Sequence, residues 1–290
     1  MNTVGTLISG LIDYAGLFPP ASLTMREAVR NYGCYLEGTE QWALGRFILP
    51  WERMAEFHET REALAPQHAV TWRISLLGTP DEIPRALEEN ASAKTPATID
   101  TLESKAVSAG EIASAAQRIP EGLTAYFECP WGKELPEFIN ACAATGVRVK
   151  LRTGGLTPSM IPRAEEIAHA LVLCEQTTTP FKATAGLHHP IRSLYRLTYA
   201  ADAPTDTMHG FVNVFLAAAL LWSGGSEADA AITLHRDSPE SFEFGDEEVY
   251  WHPYTLTKNQ LREAREHFAI SFGSCSFEEP MDDLKRLAWL

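Results

Sequence analysis

Short apolar runs rich in β-branched and aromatic residues alternate along the chain with longer segments whose apolar residues recur at helical spacing. The short runs predict strands at residues 6–16, 46–51, 69–78, 97–104, 123–129, 147–152, 181–186 and 269–276. The clearest helices are predicted at residues 24–36, 81–91, 109–119, 135–146 and 158–176. A strand followed by a helix, repeated along a chain, is typical of a parallel sheet.

Eight strand–helix units in a chain of 290 residues predict an α/β fold, a single (β/α)8 TIM barrel over residues 1–290. The alternative is a doubly wound open sheet, which usually carries a glycine-rich phosphate loop after its first strand. Residues 13–20 follow that strand here, and they read DYAGLFPP instead. We therefore favour the barrel.

The connection between the seventh and eighth predicted strands, residues 190–265, is far longer than an ordinary loop after a barrel strand. It includes an apolar helix at 209–222, and its last residues belong to a charged helix predicted at 258–268. We expect this extension to act as a lid over the active site or as a subunit interface, and the second role would make the protein a homo-oligomer.

Composition excludes several classes of protein. A net charge of −14 argues against nucleic-acid and anionic-membrane partners, because both require a basic surface. The longest apolar run, residues 211–222, is too short to span a bilayer. We see no signal-peptide pattern at the start, and the five cysteines are dispersed without a CxxC pair, which predicts reduced thiols in a cytoplasmic protein.

Charged and hydroxyl side chains stand near the ends of several predicted strands, where barrel enzymes carry their active sites. They belong to the first, fourth, fifth, sixth and seventh strands and are Asp13, Glu103, Glu128, Lys150 with Arg152, and Lys182 with Thr184. Because all strands of a parallel barrel end at the same face, we expect these side chains to meet there.

Two lysines on adjacent strands, Lys150 and Lys182, form the most informative pair. A single buried lysine is usually a structural ion-pair partner. Two like charges in a low-dielectric site instead lower each other's pKa, and a neutral amine is the nucleophile that Schiff-base chemistry requires. We therefore expect a leucine at position 182 to reduce activity without a large loss of stability.

The residues after these lysines are suited to hold an anionic group. They are expected to bring backbone N–H groups and hydroxyls to the strand ends, where an anion can bind. These residues are Thr153, Gly154, Gly155, Gly186, Gly273, Ser274 and Ser276.

The motifs K-x-x-T-G at 150–154, K-x-x-x-G at 182–186 and G-S-x-S at 273–276 resemble deoxyribose-phosphate aldolase and related class I aldolases. The resemblance implies that Lys150 forms a Schiff base, that Lys182 tunes it, and that Glu103 relays protons, at a position where the family has an aspartate. It implies a cofactor-independent lyase that acts on a small carbonyl metabolite, phosphorylated or not. Arg152 inside the first motif and the long connection depart from the family pattern.

Histidines at 188, 189 and 209 support a competing hypothesis. With Glu103 and Glu128, one of His188 and His189, or His209, would supply nitrogen and oxygen ligands for a divalent metal, as in a metal-dependent isomerase, lyase or hydrolase. Without a metal, His188 and His189 are predicted to bind substrate. A non-catalytic barrel in an assembly is a third alternative. Cys275 is a weaker candidate nucleophile, since no histidine lies at a recognisable spacing from it.

Overall fold

The computed structural model describes residues 2–64, 71–94, 96–106 and 108–290. Its strands are β1 (Ile12–Tyr14), β2 (Leu44–Pro50), β3 (Arg73–Leu77), β4 (Thr98–Lys105), β5 (Thr124–Glu128), β6 (Arg148–Arg152), β7 (Phe181–Thr184), β8 (Ser193–Arg196), β9 (Thr205–Met208), β10 (Glu243–Phe244), β11 (Glu248–Trp251), β12 (Tyr254–Thr257) and β13 (Ala269–Ser274). Its helices are α1 (Thr3–Ile8), α2 (Met25–Glu37), α3 (Met54–Leu64), α4 (Ile83–Ser92), α5 (Ala109–Ala116), α6 (Leu135–Thr145), α7 (Ala164–Gln176), α8 (Phe211–Trp222), α9 (Glu227–Leu234), α10 (Lys258–His267) and α11 (Glu278–Arg286).

Eight parallel strands close into a barrel in the order β1, β2, β3, β4, β5, β6, β7 and β13, with β13 pairing back to β1. The predicted (β/α)8 fold is therefore confirmed. In the register of β6 and β7, Lys150 is the direct partner of Lys182. The two lysines that the sequence placed on adjacent strands are thus neighbours in the barrel.

The first predicted strand is wrong over most of its length. Residues Thr3–Ile8 form α1, and the strand is confined to Ile12–Tyr14. The reason is local: the Asn2 side chain accepts a hydrogen bond from the Gly5 N–H at 3.0 Å and caps the helix. Gly10 then turns the chain at φ +58°, a conformation that favours glycine.

Two other predicted boundaries differ from the structure. The helix predicted at 158–176 begins as α-helix only at Ala164, after a 3-10 turn at Pro158–Met160. The strand predicted at 69–78 is observed at Arg73–Leu77, and residues 69 and 70 lie outside the described part of the chain.

Helix α8 takes the place of the outer-layer helix after β7. All of its residues up to Leu221 are buried, as its nearly unbroken apolar sequence requires. Phe215 stacks on Phe181 of β7 with ring centroids 6.1 Å apart, and Phe211 stacks on Phe272 of β13 at 5.3 Å. Each such side chain contributes about 1.5–3 kcal/mol through burial.

The long connection divides into parts with different positions. The antiparallel hairpin β8–β9 comes first, and the loop between its strands reaches the cavity described below through Leu197. The antiparallel sheet β10–β12 follows α9 and lies against α1, where the Thr3 N–H donates to the Gly245 carbonyl at 3.0 Å. Among the described helices, none has the length and apolar character needed to cross a membrane.

Candidate active site

A cavity of about 310 Å³ opens where the barrel strands end. This volume is at the small end of the range for ligand cavities, roughly 300–1,000 Å³. The predicted site residues that line it are Glu103, Glu128, Lys150, Arg152, Gly155, Thr184, Gly186, His188 and Gly273. Those that do not line it are Asp13, Lys182, Thr153, Gly154, His189, Ser274 and Ser276.

Lys182 is buried among acidic residues inside the barrel. Its Nζ donates to Asp13 Oδ2 at 2.7 Å and to Glu103 Oε1 at 2.5 Å, and only 1% of the side chain is exposed. Burial disfavours the ammonium form, but the charges and hydrogen bonds of Asp13 and Glu103 outweigh it and raise the pKa of Lys182 above its usual range. Lys182 is therefore a fixed cation.

Lys150 lies above Lys182 at the cavity. Its Nζ is 2.9 Å from Glu103 Oε2 and 3.2 Å from Glu128 Oε2. These contacts are ion pairs by distance, although neither carboxylate oxygen receives a well-aligned hydrogen bond from a described residue. Glu103 thus bridges the two lysines, with one oxygen on each. Lys150 is held mainly by charge, and its side chain lines the cavity.

Two of the carboxylates, Glu103 and Glu128, have lowered pKa values. Burial disfavours the charge of Glu103, but Lys150 and Lys182 outweigh that effect and hold the pKa of Glu103 well below its usual range. For Glu128, burial is likewise outweighed by Lys150 and Arg152, and the pKa is lowered. Arg152 Nε donates to Glu128 Oε1 at 2.9 Å. With Asp13, three acidic groups balance three basic ones, so the cluster is electrically neutral overall.

Residues that the sequence did not single out position this cluster. Ser75 Oγ donates to Glu103 Oε1 at 2.7 Å, and Ser271 Oγ donates to Asp13 Oδ2 at 2.7 Å. The backbone N–H of Arg46 donates to Asp13 Oδ1 at 2.7 Å. A Cβ at Gly45 would lie 2.2 Å from Asp13 Oδ1, so only glycine leaves room for this carboxylate. A sequence signal existed for the serines: hydroxyls inside otherwise apolar strands.

The predicted anion-binding loops have mainly structural contacts. The Gly154 and Gly186 backbones touch, since a Cβ on Gly186 would lie 2.7 Å from the Gly154 Cα. The Thr153 hydroxyl donates to the Ala185 carbonyl at 2.7 Å, which joins the same two loops.

The two serines at the end of the eighth barrel strand, Ser274 and Ser276, also make structural contacts. Ser274 Oγ accepts from the Ser276 N–H at 3.3 Å, and Ser276 Oγ accepts from the Glu279 N–H at 3.1 Å, at the start of α11. They organise the entrance to that helix and do not face the cavity.

His188, His189 and His209 pair with groups other than Glu103 and Glu128. His189 Nδ1 pairs with Asp283 Oδ2 at 2.6 Å, and buried His209 lies near the Pro162 carbonyl, with Nε2 at 2.7 Å from the oxygen. His188 lines the cavity and pairs with Glu279. Over the part of the chain that is described, no group of three or more His, Cys, Asp and Glu side chains is arranged to hold a metal ion. The predicted ligand set is therefore not brought together.

Fold and cavity define a (β/α)8 barrel with a charged cavity at the carboxyl ends of its strands, the position at which barrel enzymes bind substrates. No protein-family model matches the chain, and no curated protein matches it significantly. The similarity to class I aldolases therefore rests on the motifs of β6, β7 and β13. The barrel itself is shared by many unrelated activities.

Proposed function

We propose that the protein is an enzyme that forms a Schiff base between Lys150 and a small carbonyl substrate, as a lyase of the class I aldolase type. The observation that carries this proposal is the division of roles between the two lysines. Lys150 lines the cavity with a side chain that is 7% exposed, whereas Lys182 is enclosed by Asp13 and Glu103. A cationic neighbour favours the neutral amine that Schiff-base chemistry uses.

Glu128 is the base best placed to activate Lys150. Its Oε2 is 3.2 Å from the Lys150 Nζ, and Glu128 also lines the cavity. After the proton passes to Glu128, the lysine nitrogen attacks the carbonyl carbon and the π electron pair moves to oxygen. That oxygen takes up two protons and leaves as water, so that an iminium ion remains.

The iminium ion suits the electrostatics of the cluster. The ammonium of Lys150 carries one positive charge, and the protonated imine carries the same charge at the same nitrogen. Glu103 and Glu128 therefore have the same cationic partner before and after imine formation. A neutral product at Lys150 would lose this compensation, which is costly at a buried site.

The walls of the cavity indicate the substrate class. Apolar side chains line much of it, among them Phe18, Ile48 and Leu77. Arg152 and Lys105 supply positive charge at the edge. We infer a short aldehyde or ketone with a carbon skeleton in the apolar part and one anionic group, carboxylate or phosphate, towards Arg152.

Reductive trapping tests the proposal. The wild-type protein is incubated with a panel of short aldehydes and ketones, with and without an anionic group, and reduced with borohydride. We expect peptide mass mapping to place the adduct on Lys150. Lys105→Met is the matched control, because Lys105 also lines the cavity. Its replacement should leave trapping intact, whereas Lys150→Met should abolish it.

An adduct on Lys105 in place of Lys150 would contradict the proposal. So would the absence of any adduct with a carbonyl compound that the protein measurably consumes. Circular dichroism of Lys150→Met distinguishes the loss of the reacting amine from a loss of fold.

A further inference from the structure

A second cluster of reactive side chains lies at the same cavity. Cys275 directly follows β13, and His188 follows β7, which pairs with β13. Both side chains line the cavity. The Cys275 Sγ is 3.9 Å from the His188 Nδ1, and the same nitrogen is 3.1 Å from the Glu279 Oε2.

Tyr199 and Glu279 complete this cluster from two other elements. Tyr199, in the β8–β9 loop, places its hydroxyl 3.6 Å from the Cys275 Sγ and 3.2 Å from the Glu279 Oε2. Glu279 comes from the first turn of α11. His189 adds a weaker contact, with Nε2 4.0 Å from the Glu279 Oε1. The thiol of Cys275 therefore faces the His188 imidazole, which also contacts a carboxylate, and the Tyr199 hydroxyl. These are the surroundings of an activated nucleophile.

We propose that Cys275 and His188 form a thiolate–imidazolium pair that acts as a second nucleophile of the cavity and captures aldehydes as thiohemiacetals. The sulfur lone pair forms the S–C bond, and the π electron pair of the carbonyl moves to oxygen. That oxygen takes the proton from the His188 imidazolium. No oxidant and no leaving group are required, and the reverse reaction releases the aldehyde. The proposal does not depend on Schiff-base formation at Lys150.

The electrostatics agree with this geometry. Burial favours the neutral thiol, but His188, the Tyr199 hydroxyl and the Ala21 N–H outweigh it and lower the pKa of Cys275. Burial also disfavours the imidazolium, but Cys275 and Glu279 outweigh it and raise the pKa of His188 to about 9. Both shifts favour the charged pair near neutral pH. Cys275 also affects the pKa values of Tyr14 and Tyr199. Burial raises the pKa of Tyr14 to about 12, and burial with Cys275 and Glu279 raises the pKa of Tyr199 above its usual range, so both side chains remain neutral phenols.

The other cysteines provide internal references. Burial raises the pKa of Cys174, and burial with neighbouring thiols raises that of Cys129. Cys34 is exposed on α2 and has no such surroundings. A probe that reacts with thiolates should separate Cys275 from a free thiol by the pH dependence of the two rates.

The test is alkylation of the intact protein by iodoacetamide, in which the sulfur displaces iodide. Rates at Cys275 are read from peptide masses between about pH 6 and about pH 9, beside the rate of free N-acetylcysteine in the same solution; this range brackets the ordinary cysteine pKa of about 8.5. For the free thiol we expect the rate to rise about tenfold per pH unit below that pKa. At Cys275 we expect a rate that changes less than about threefold over the lower two units, as for a preformed thiolate.

Two variants test whether the Cys275 thiolate depends on His188 or on Lys150. His188→Gln should give Cys275 the pH dependence of the free thiol, and Lys150→Met should leave the Cys275 profile unchanged. The ultraviolet absorbance of the thiolate, taken as wild type minus Cys275→Ser, gives a second measurement that does not require the probe to enter the cavity. Propanal should slow alkylation of Cys275, but not of Cys34, in both wild type and Lys150→Met.

A Cys275 profile that follows the free thiol in the wild type would overturn the thiolate pair, as would a thiolate absorbance that appears only near pH 8.5. Alkylation of Cys275 that His188→Gln leaves unchanged would remove His188 from the pair. A preformed thiolate that propanal does not protect would overturn the capture of aldehydes. The Cys275 measurements are repeated in Lys150→Met, which cannot form the Schiff base. A failure of the thiolate proposal is therefore distinguishable from a failure of the Schiff-base proposal.

Discussion

Replacing Lys182 with leucine should strongly destabilise the protein. Lys182 is 1% exposed and donates to Asp13 and Glu103 at 2.7 and 2.5 Å, so its loss leaves two buried carboxylates without that cation. Breaking a buried ion pair by removing one partner costs about 3–5 kcal/mol. At roughly 2–3 °C per kcal/mol for a chain of this size, we expect the melting temperature to fall by about 6–15 °C. The sequence alone favoured the opposite outcome, a loss of activity with little loss of stability.

The pH dependence of the loss identifies its cause. In the folded wild type the pKa of Glu103 is depressed, so the ionised group contributes stability above the unfolded carboxyl pKa of about 4.3. That contribution is lost as the pH falls through the lower folded value. In Lys182→Leu, Glu103 has lost one of its two lysines and can take up a proton at higher pH. The difference in unfolding free energy between wild type and variant should therefore be largest near pH 7 and shrink below about pH 5.

Urea denaturation at several pH values measures this difference directly. Lys105→Leu is the control, since Lys105 is an exposed lysine with no ion-pair partner among the described residues, and it should change the unfolding free energy by less than about 0.5 kcal/mol. Adding Asp13→Asn and Glu103→Gln to Lys182→Leu should restore part of the lost stability, because the unpaired charges are gone. A loss below about 1 kcal/mol, or one that does not vary with pH, would refute the reasoning.

Two further predictions concern residues that support the fold and site. Gly45→Ala should destabilise the protein by about 1–3 kcal/mol, because its Cβ would lie 2.2 Å from Asp13 Oδ1. Gly33→Ala in helix α2, with its nearest atom at 3.7 Å, should instead be neutral or stabilising by up to about 1 kcal/mol, and equal effects in thermal melts would contradict this contrast. The buried Asn213 side chain bonds three backbone groups, so Asn213→Ala should cost at least about 2 kcal/mol in urea denaturation. Asn259→Ala, at an exposed position, should cost little, and similar costs for the two variants would be evidence against this role of Asn213.

Much of the fold could be predicted because strand and helix patterns alternate with different periods along the chain. The β6 and β7 motifs placed Lys150 and Lys182 on neighbouring strands, and the register confirms it. The sequence did not reveal which lysine faces the cavity. That difference depends on Asp13, which is distant in sequence from Lys182 but is brought beside it when β13 closes the barrel between β1 and β7.

The cluster around Cys275 could not be predicted from the sequence, again because it forms only when the barrel closes. Cys275 and His188 lie far apart in the sequence, and their contact arises because β7 and β13 are adjacent in the barrel. Tyr199 and Glu279 come from the long connection and from the last helix. A spacing rule for catalytic histidines cannot find such a pair, whereas barrel closure, once assumed, places the ends of the seventh and eighth barrel strands side by side.

The most direct test of the central claim is a crystal structure of the protein after borohydride reduction with an aldehyde that it consumes. We expect continuous electron density from the Lys150 Nζ into the cavity, with Lys182 unmodified beneath it and still paired with Asp13 and Glu103. Density on Lys105 or on a surface lysine, with the cavity empty, would contradict the assignment of Lys150 as the reacting amine.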